Sequence, residues 1–249
     1  MTKRIDEIRN LIYERKKVNV NELCDYYNVS AVSIRKDLSK LEQEGVLSRT
    51  YGGAVLSKDI VSFDSSPAIY FDNPILSQLA EHAFQQIEDN DIIFLGSGRT
   101  CCILAKLLHK IKNLSVVTNN VTALDDLLES GARIYLLGGE VTSTDGKTLF
   151  SSPEDPIDKI RVNKAFTSIS GIDLQKGLTV NSIISTYIYR YVPSISNSWY
   201  IMASSDKFNK LAMYTAASFD DVDCIITDSF PPEYQSIFDN NSIEVITTN

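Results

Sequence analysis

The sequence is short of the residues that metal and covalent chemistry depend on. It has two histidines, His82 and His109, and four cysteines, Cys24, Cys101, Cys102 and Cys224. No two cysteines form a C-x-x-C pair and no Cys/His group has zinc-ligand spacing, so neither a metal nor a cofactor is expected. Both histidines fall in helix-like stretches with no nucleophile beside them, which points away from histidine catalysis. No apolar run approaches the roughly 18 residues of a membrane span. The first residues, MTKRIDEIRN, carry mixed charge with no apolar stretch behind them, so no secretory leader is expected. Adjacent Cys101 and Cys102 then read as reduced core thiols of a cytoplasmic protein.

What is present is ordinary globular composition, 43% hydrophobic and 22% charged over 249 residues. That length suits one large domain or two small ones. A net charge of −8 argues against a protein coated in nucleic acid. The charge is uneven, however: residues 1–57 sum to +2 and the remainder to −10. This asymmetry fits a small nucleic-acid module on an acidic body.

Periodicity divides the chain further. Ile5, Ile8, Leu11 and Ile12 make the stripe of an amphipathic helix over 2–16, and residues 20–27 give a second, with Leu23 and Cys24 inward. A third helix spans 30–44, with Ser30 as N-cap, Ile34, Leu38 and Leu41 inward, and Gly45 at its end. VLSRTYGGAVL then reads as a β-hairpin turning at Gly52-Gly53. Three helices and a hairpin in under 60 residues describe a winged helix-turn-helix. Residues 58–73 lack periodicity and read as a linker. Asn73-Pro74 open a helix running to about Glu88. Beyond it, seven apolar stretches alternate with helical ones: Ile92–Leu95, Val116–Val117, Ile134–Leu137, Ala165–Ile169, Trp199–Ala203, Cys224–Ile226 and Ile243–Ile246. The expectation is an α/β fold with a mostly parallel sheet over 74–249.

On the third helix, Val32, Ser33, Lys36, Ser39 and Lys40 lie opposite the packing stripe, with Arg35 on a flank. A major groove admits such a helix, and Arg bonds guanine in bidentate fashion. The hairpin adds Arg49 and Tyr51. The expected DNA-contacting residues are Ser30, Ser33, Arg35, Lys36, Lys40, Arg49 and Tyr51, and the expected partner is double-stranded operator DNA. In the larger domain, Gly96-Ser97-Gly98-Arg99-Thr100 joins a strand to a helix, where small residues and the helix N-terminus suit a phosphate. Asn119 and the pair Gly138-Gly139 end later strands, and ligands gather at such ends. Lys207 ends a further strand and supplies a positive charge. The same residues are also ordinary turn chemistry, so the effector reading competes with a purely structural one.

The segment VNVNELCDYYNVSAVSIRKDLSKLEQEGVLSRTYGGAVL resembles the N-terminal domain of the DeoR family of bacterial transcriptional regulators. The elements GSGRT, VTNN, LLGGEV, SGIDLQKGLT and SSDKF, in that order, resemble the family's sensor domain. The resemblance implies a fold related to ribose-5-phosphate isomerase and glucosamine-6-phosphate deaminase. It implies a phosphorylated sugar or polyol effector held by Ser97, Gly98, Arg99, Thr100 and Lys207, a homo-oligomer, and repression as the usual mode. Departures are visible. Ser33 and Lys36 stand where the family commonly has Thr and Arg. Gly96 and Ser204 replace usual Asp residues, Ser168-Ile169-Ser170-Gly171 replaces Gly-Ala-Asp-Gly, and Asn181-Ser182-Ile183-Ile184 lacks a common Glu. Several acidic groups suited to sugar hydroxyls are thus absent. Two other readings stay open: a C-terminal domain kept for oligomerisation or partner docking, and, more remotely, an isomerase-like enzyme using Asp173 or Asp206. The expectation is a regulator and not an enzyme.

Overall fold

The computed structural model describes residues 3–15, 17–43, 46–50, 52–56, 73–138, 140–142, 147–149 and 156–248. Two compact units divide the chain, residues 1–69 and 70–249. The expected linker lies outside the described residues except for Asn73, as do Gly45 and Tyr51.

In the first unit, α1 (Lys3–Arg15), α2 (Val20–Tyr27) and α3 (Ala31–Gln43) surround a small core. Ile5, Ile8 and Ile12 of α1 meet Leu23 of α2 and Ile34, Leu38 and Leu41 of α3, all buried. Asn19 caps α2 by accepting the Asn21 N–H, and α2 ends on Asn28 in the left-handed region. Ser30 accepts the Ser33 N–H through its hydroxyl at 3.4 Å, so the expected cap is in place. The hairpin strands are β2 (Leu47–Thr50) and β3 (Gly53–Leu56). A third strand, β1 (Lys17–Asn19), was not legible in the sequence and pairs with β3. It explains Gly53: a Cβ there would lie 2.1 Å from the Val18 carbonyl oxygen. Gly53 therefore opens the strand, and the turn lies between Thr50 and Gly53, with Gly52 at φ +85°.

The second unit is built on a seven-stranded parallel sheet. Its strands, in order across the sheet, are β15 (Glu244–Thr247), β14 (Cys224–Thr227), β12 (Ser196–Met202), β9 (Val162–Ser168), β4 (Ile92–Leu95), β5 (Ser115–Thr118) and β6 (Arg133–Leu136). Each contains or overlaps one of the seven apolar stretches. Successive side chains go to opposite faces. Ile93, Leu95, Val116, Phe166 and Met202 pack under α4 (Pro74–Phe84), α5 (Arg99–Leu107) and α6 (Leu124–Glu129). Phe94, Val117, Trp199, Ile201 and Ile225 pack under α7 (Ile183–Ile195) and α8 (Gln235–Asn240). A sheet covered on both faces explains the near-continuous apolar strands. A small antiparallel sheet lies against the α7 side: β10 (Gly171–Asp173), β11 (Gly177–Val180) and β13 (Tyr214–Ala217). A hairpin of β7 (Glu140–Thr142) and β8 (Lys147–Leu149) completes the strands among the described residues.

From β4 the chain winds outward through β5 and β6, then returns to β9 on the other side and winds through β12, β14 and β15. The direction of winding reverses between β4 and β9. Ligand crevices form outside the carboxyl ends of strands at such a point.

Candidate functional site

A cavity of about 490 Å³ opens at that reversal. Its walls come from the carboxyl ends of β4, β9 and β12, with Asn181 after β11 and Asn73 at the start of α4. The β4 end supplies Gly98, Arg99 and Thr100, the β9 end Ser168, Ile169 and Ser170, and the β12 end Ser204, Asp206 and Lys207.

Close packing fixes the glycine loop. Gly98 has φ +121°, and a Cβ on it would lie 2.0 Å from the Ser168 Oγ. Ser168 Oγ donates to the Ser97 carbonyl at 3.0 Å, and the Ser168 carbonyl accepts the Tyr189 hydroxyl from α7. The Gly96 N–H donates to Phe166 O at 2.8 Å. Behind the loop, Asn120 Nδ2 donates to Gly96 O at 3.3 Å while its Oδ1 accepts the Ala123 N–H. The loop thus delivers the start of α5 to the cavity, and its N-cap, Gly98, provides no capping side chain. Backbone donors at a helix start favour an anion.

The β12 end carries the charges. Asp228 accepts both the N–H and the hydroxyl of Ser205, at 2.6 and 2.7 Å, which pins the turn over 205–207. Lys207 Nζ and Lys210 Nζ donate to Asp206 Oδ2 at 2.9 and 3.0 Å, and Ser204 donates to Oδ1. Burial alone would raise the Asp206 carboxyl, but the bonds from Ser204, Lys207 and Lys210 outweigh it and hold the group well below the usual carboxylate range. Asp206 is the sole carboxylate among the described residues lining the cavity.

The expected effector residues divide accordingly. Gly98, Arg99, Thr100 and Lys207 line the cavity. Gly96 and Ser97 form the loop behind it. Asn119 is buried and outside the lining, with its Oδ1 unpartnered. Gly138 follows β6, the sheet edge two strands from the reversal, and does not reach the cavity. Gly139 lies outside the described residues. Ser168, Ser170 and Asn181 were visible in the sequence only as departures from the family pattern, and Asp206 only as a carboxylate of the isomerase-like reading; the topology makes all four walls. Asp173 holds a turn by accepting the Gln175 and Lys176 N–H groups at 2.9 Å. His82 and His109 each bond a carbonyl of their own helical stretch, Gln78 O and Lys106 O. Among the described residues no group of acidic, histidine or cysteine side chains could hold a metal ion. None of the described helices is long and apolar enough to cross a membrane.

On the first unit, Arg35, Lys36 and Lys40 are exposed along α3. Ser33 is half-buried, and its Oγ accepts from Arg4 Nη2 at 2.9 Å. The Arg4 Nε also donates to Asp37 Oδ2 at 2.8 Å, so α1 braces the outer helix. Arg49 lies on β2 and ties the hairpin to α3: its N–H donates to Glu42 Oε1 at 3.0 Å and its Nη1 to Ser39 Oγ at 3.1 Å.

A winged helix-turn-helix with a basic outer helix, carried on the same chain as a parallel α/β unit with a polar cavity, is the makeup of a two-part regulator. Residues 4–59 match the DeoR-like helix-turn-helix domain and residues 77–229 the DeoR C terminal sensor domain. The chain belongs to the DeoR family of bacterial transcriptional regulators. It is 30% identical to the glycerol-3-phosphate regulon repressor of Escherichia coli, covering 93% of this chain and 92% of that one. It is 28% identical to the HTH-type transcriptional regulator IolR of Bacillus subtilis, over 90% of each. It is 29% identical to the lactose phosphotransferase system repressor of Staphylococcus epidermidis, over 91% of each. Among solved structures, a ribose-5-phosphate isomerase in complex with phospho-erythronic acid aligns with TM-score 0.40 and 17% identity, over 53% of this chain and 52% of that one.

Proposed function

We propose that α3 binds operator DNA in the major groove and that the cavity holds a phosphorylated sugar or polyol which changes operator affinity. The protein acts in the cytoplasm as a homo-oligomeric repressor of a carbohydrate operon. The observation that carries the effector reading is the joining of an uncapped helix start at Gly98 to Arg99 and Lys207 around one cavity. A phosphate there meets backbone N–H groups and two cationic side chains. Ser168, Ser170 and Asn181 offer neutral hydrogen-bonding groups to the rest of the ligand. Repression is supported by the names of the relatives, several of them repressors of sugar or polyol-phosphate systems. On the DNA side, exposed Arg35 suits a guanine edge, while Lys36 and Lys40 suit phosphates.

Thermal unfolding against a panel of sugar and polyol phosphates, each beside its unphosphorylated partner, tests the effector reading. A ligand at 100 times its Kd adds about 2.7 kcal/mol, a clear rise in Tm. No shift with any phosphorylated compound contradicts it and favours the second reading, a C-terminal unit kept for oligomerisation or docking. One observation favours that reading: Lys207 is already engaged by Asp206.

A further inference from the structure

We infer that Val32 reads a thymine methyl group in the major groove of the operator. This rests on the DNA-binding reading above and adds to it a residue and a base. Val32 is 74% exposed at the second position of α3, whereas Ile34, Leu38 and Leu41 on the inward side of that helix are fully buried. A β-branched residue lowers helix propensity, and an exposed one gains little by burial in return. Val32 therefore adds nothing to this fold that an alanine would not supply better.

A single exposed apolar residue is common on any surface, so the position has to carry the argument. Val32 precedes Arg35 and Lys36 by three and four residues, which sets all three on neighbouring parts of one helix surface. Both basic residues are exposed. The other groups near the helix start have work inside the protein: Ser30 caps the helix, and the Ser33 hydroxyl accepts from Arg4. Val32 is thus the leading side chain of the reading surface. In the major groove the apolar feature of a base edge is the thymine C5 methyl; the remaining features are hydrogen-bond donors and acceptors. A donor or acceptor pressed against Val32 loses its water and gains no partner. That cost turns a weak attraction for thymine into discrimination against the other bases. With Arg35 beside it, the expected element is a thymine close to a guanine in each half-site.

The test uses the full chain. Duplexes are enriched by affinity from a random pool. Binding is then measured on the enriched site and on copies in which each thymine in turn is replaced by deoxyuridine, which lacks only the methyl. One thymine of each half-site should show about a fourfold loss, the value of one buried methyl. Val32→Ser should bind the thymine and deoxyuridine versions of that position equally while keeping its Tm. An enriched site indifferent to every deoxyuridine, or a Val32→Ser protein with wild-type sensitivity, overturns the inference and leaves DNA binding standing. A chain that enriches no duplex overturns the DNA-binding reading, and the inference with it.

Discussion

Gly98 and Ser168 are packed so closely that a single Cβ on Gly98 would lie 2.0 Å from the Ser168 Oγ. Ser168 ends β9 and Gly98 lies in the loop after β4, the adjacent strand, on either side of the point where the sheet reverses its winding. Their contact sets the spacing of the cavity walls.

Gly98→Ala should therefore damage the site at its centre. The substitution meets both the serine and a φ of +121°, which non-glycine residues rarely adopt. We expect a loss of about 1–3 kcal/mol in unfolding free energy, with ligand stabilisation abolished. Ser168→Ala, which removes the bond to Ser97 O and opens space, should cost only about 1 kcal/mol. Chemical denaturation of both variants checks the order; equal stability of Gly98→Ala and the parent contradicts it.

Arg4→Ala should weaken DNA binding without touching DNA. It leaves Asp37, whose side chain is 8% exposed, without its ion-pair partner, and removes the polar brace from α1 to Asp37 and Ser33 of α3. The expected cost is about 1–3 kcal/mol, read in urea denaturation of the first unit's transition. A parallel fall in operator affinity is expected. Arg4→Lys should recover only part, because the bond to Ser33 needs the fork of the guanidinium.

Asp206 should stay ionised in acid. Its folded value is held below the ordinary carboxylate range, so its contribution is complete above that range and is lost as pH falls below it toward the folded value. Carboxyl chemical shifts followed from pH 6 downward should show Asp206 unprotonated at pH 3. Lys207→Ala combined with Lys210→Ala should move its titration upward. A wild-type midpoint near 4 contradicts the charge assignment.

Three of the four thiols should be inert in the native state. Cys101, Cys102 and Cys224 are buried, and Cys24 is half-buried. Burial pushes the Cys224 thiol up to about 12, and that of Cys102 also upward. A disulfide reagent at pH 8 should react at one site at most before unfolding and at four afterwards. Fast reaction of two or more native thiols contradicts the burial.

The parallel sheet was legible because its central strands are largely buried and, like the more exposed edge strands β6 and β15, stand out as apolar runs, from Ile92–Leu95 to Ile243–Ile246. The three helices of the first unit were legible from the spacing of Ile5, Ile8 and Ile12 and of Ile34, Leu38 and Leu41. What was not legible depends on long-range pairing. Strand β1 is three residues long and exists because β3 passes beside it. Strand β10 is equally short, and Pro193 interrupts the helical pattern of α7. The glycine loop and Lys207 could be named from local chemistry. Asn119 and Gly138 could not be told apart from true cavity residues, because strand order, which the sequence does not display, decides which loops meet. Ser168 and Ser170 join the site for the same reason.

The most direct measurement is operator affinity of the full chain, by fluorescence anisotropy, with and without each compound of the phosphorylated panel. One phosphorylated compound should change the Kd by about 5- to 150-fold. Its unphosphorylated partner should have no effect, and Lys207→Ala should abolish the response while leaving the ligand-free Kd unchanged. A Kd that no phosphorylated compound alters, or a response that survives intact in Lys207→Ala, contradicts an effector site in the cavity.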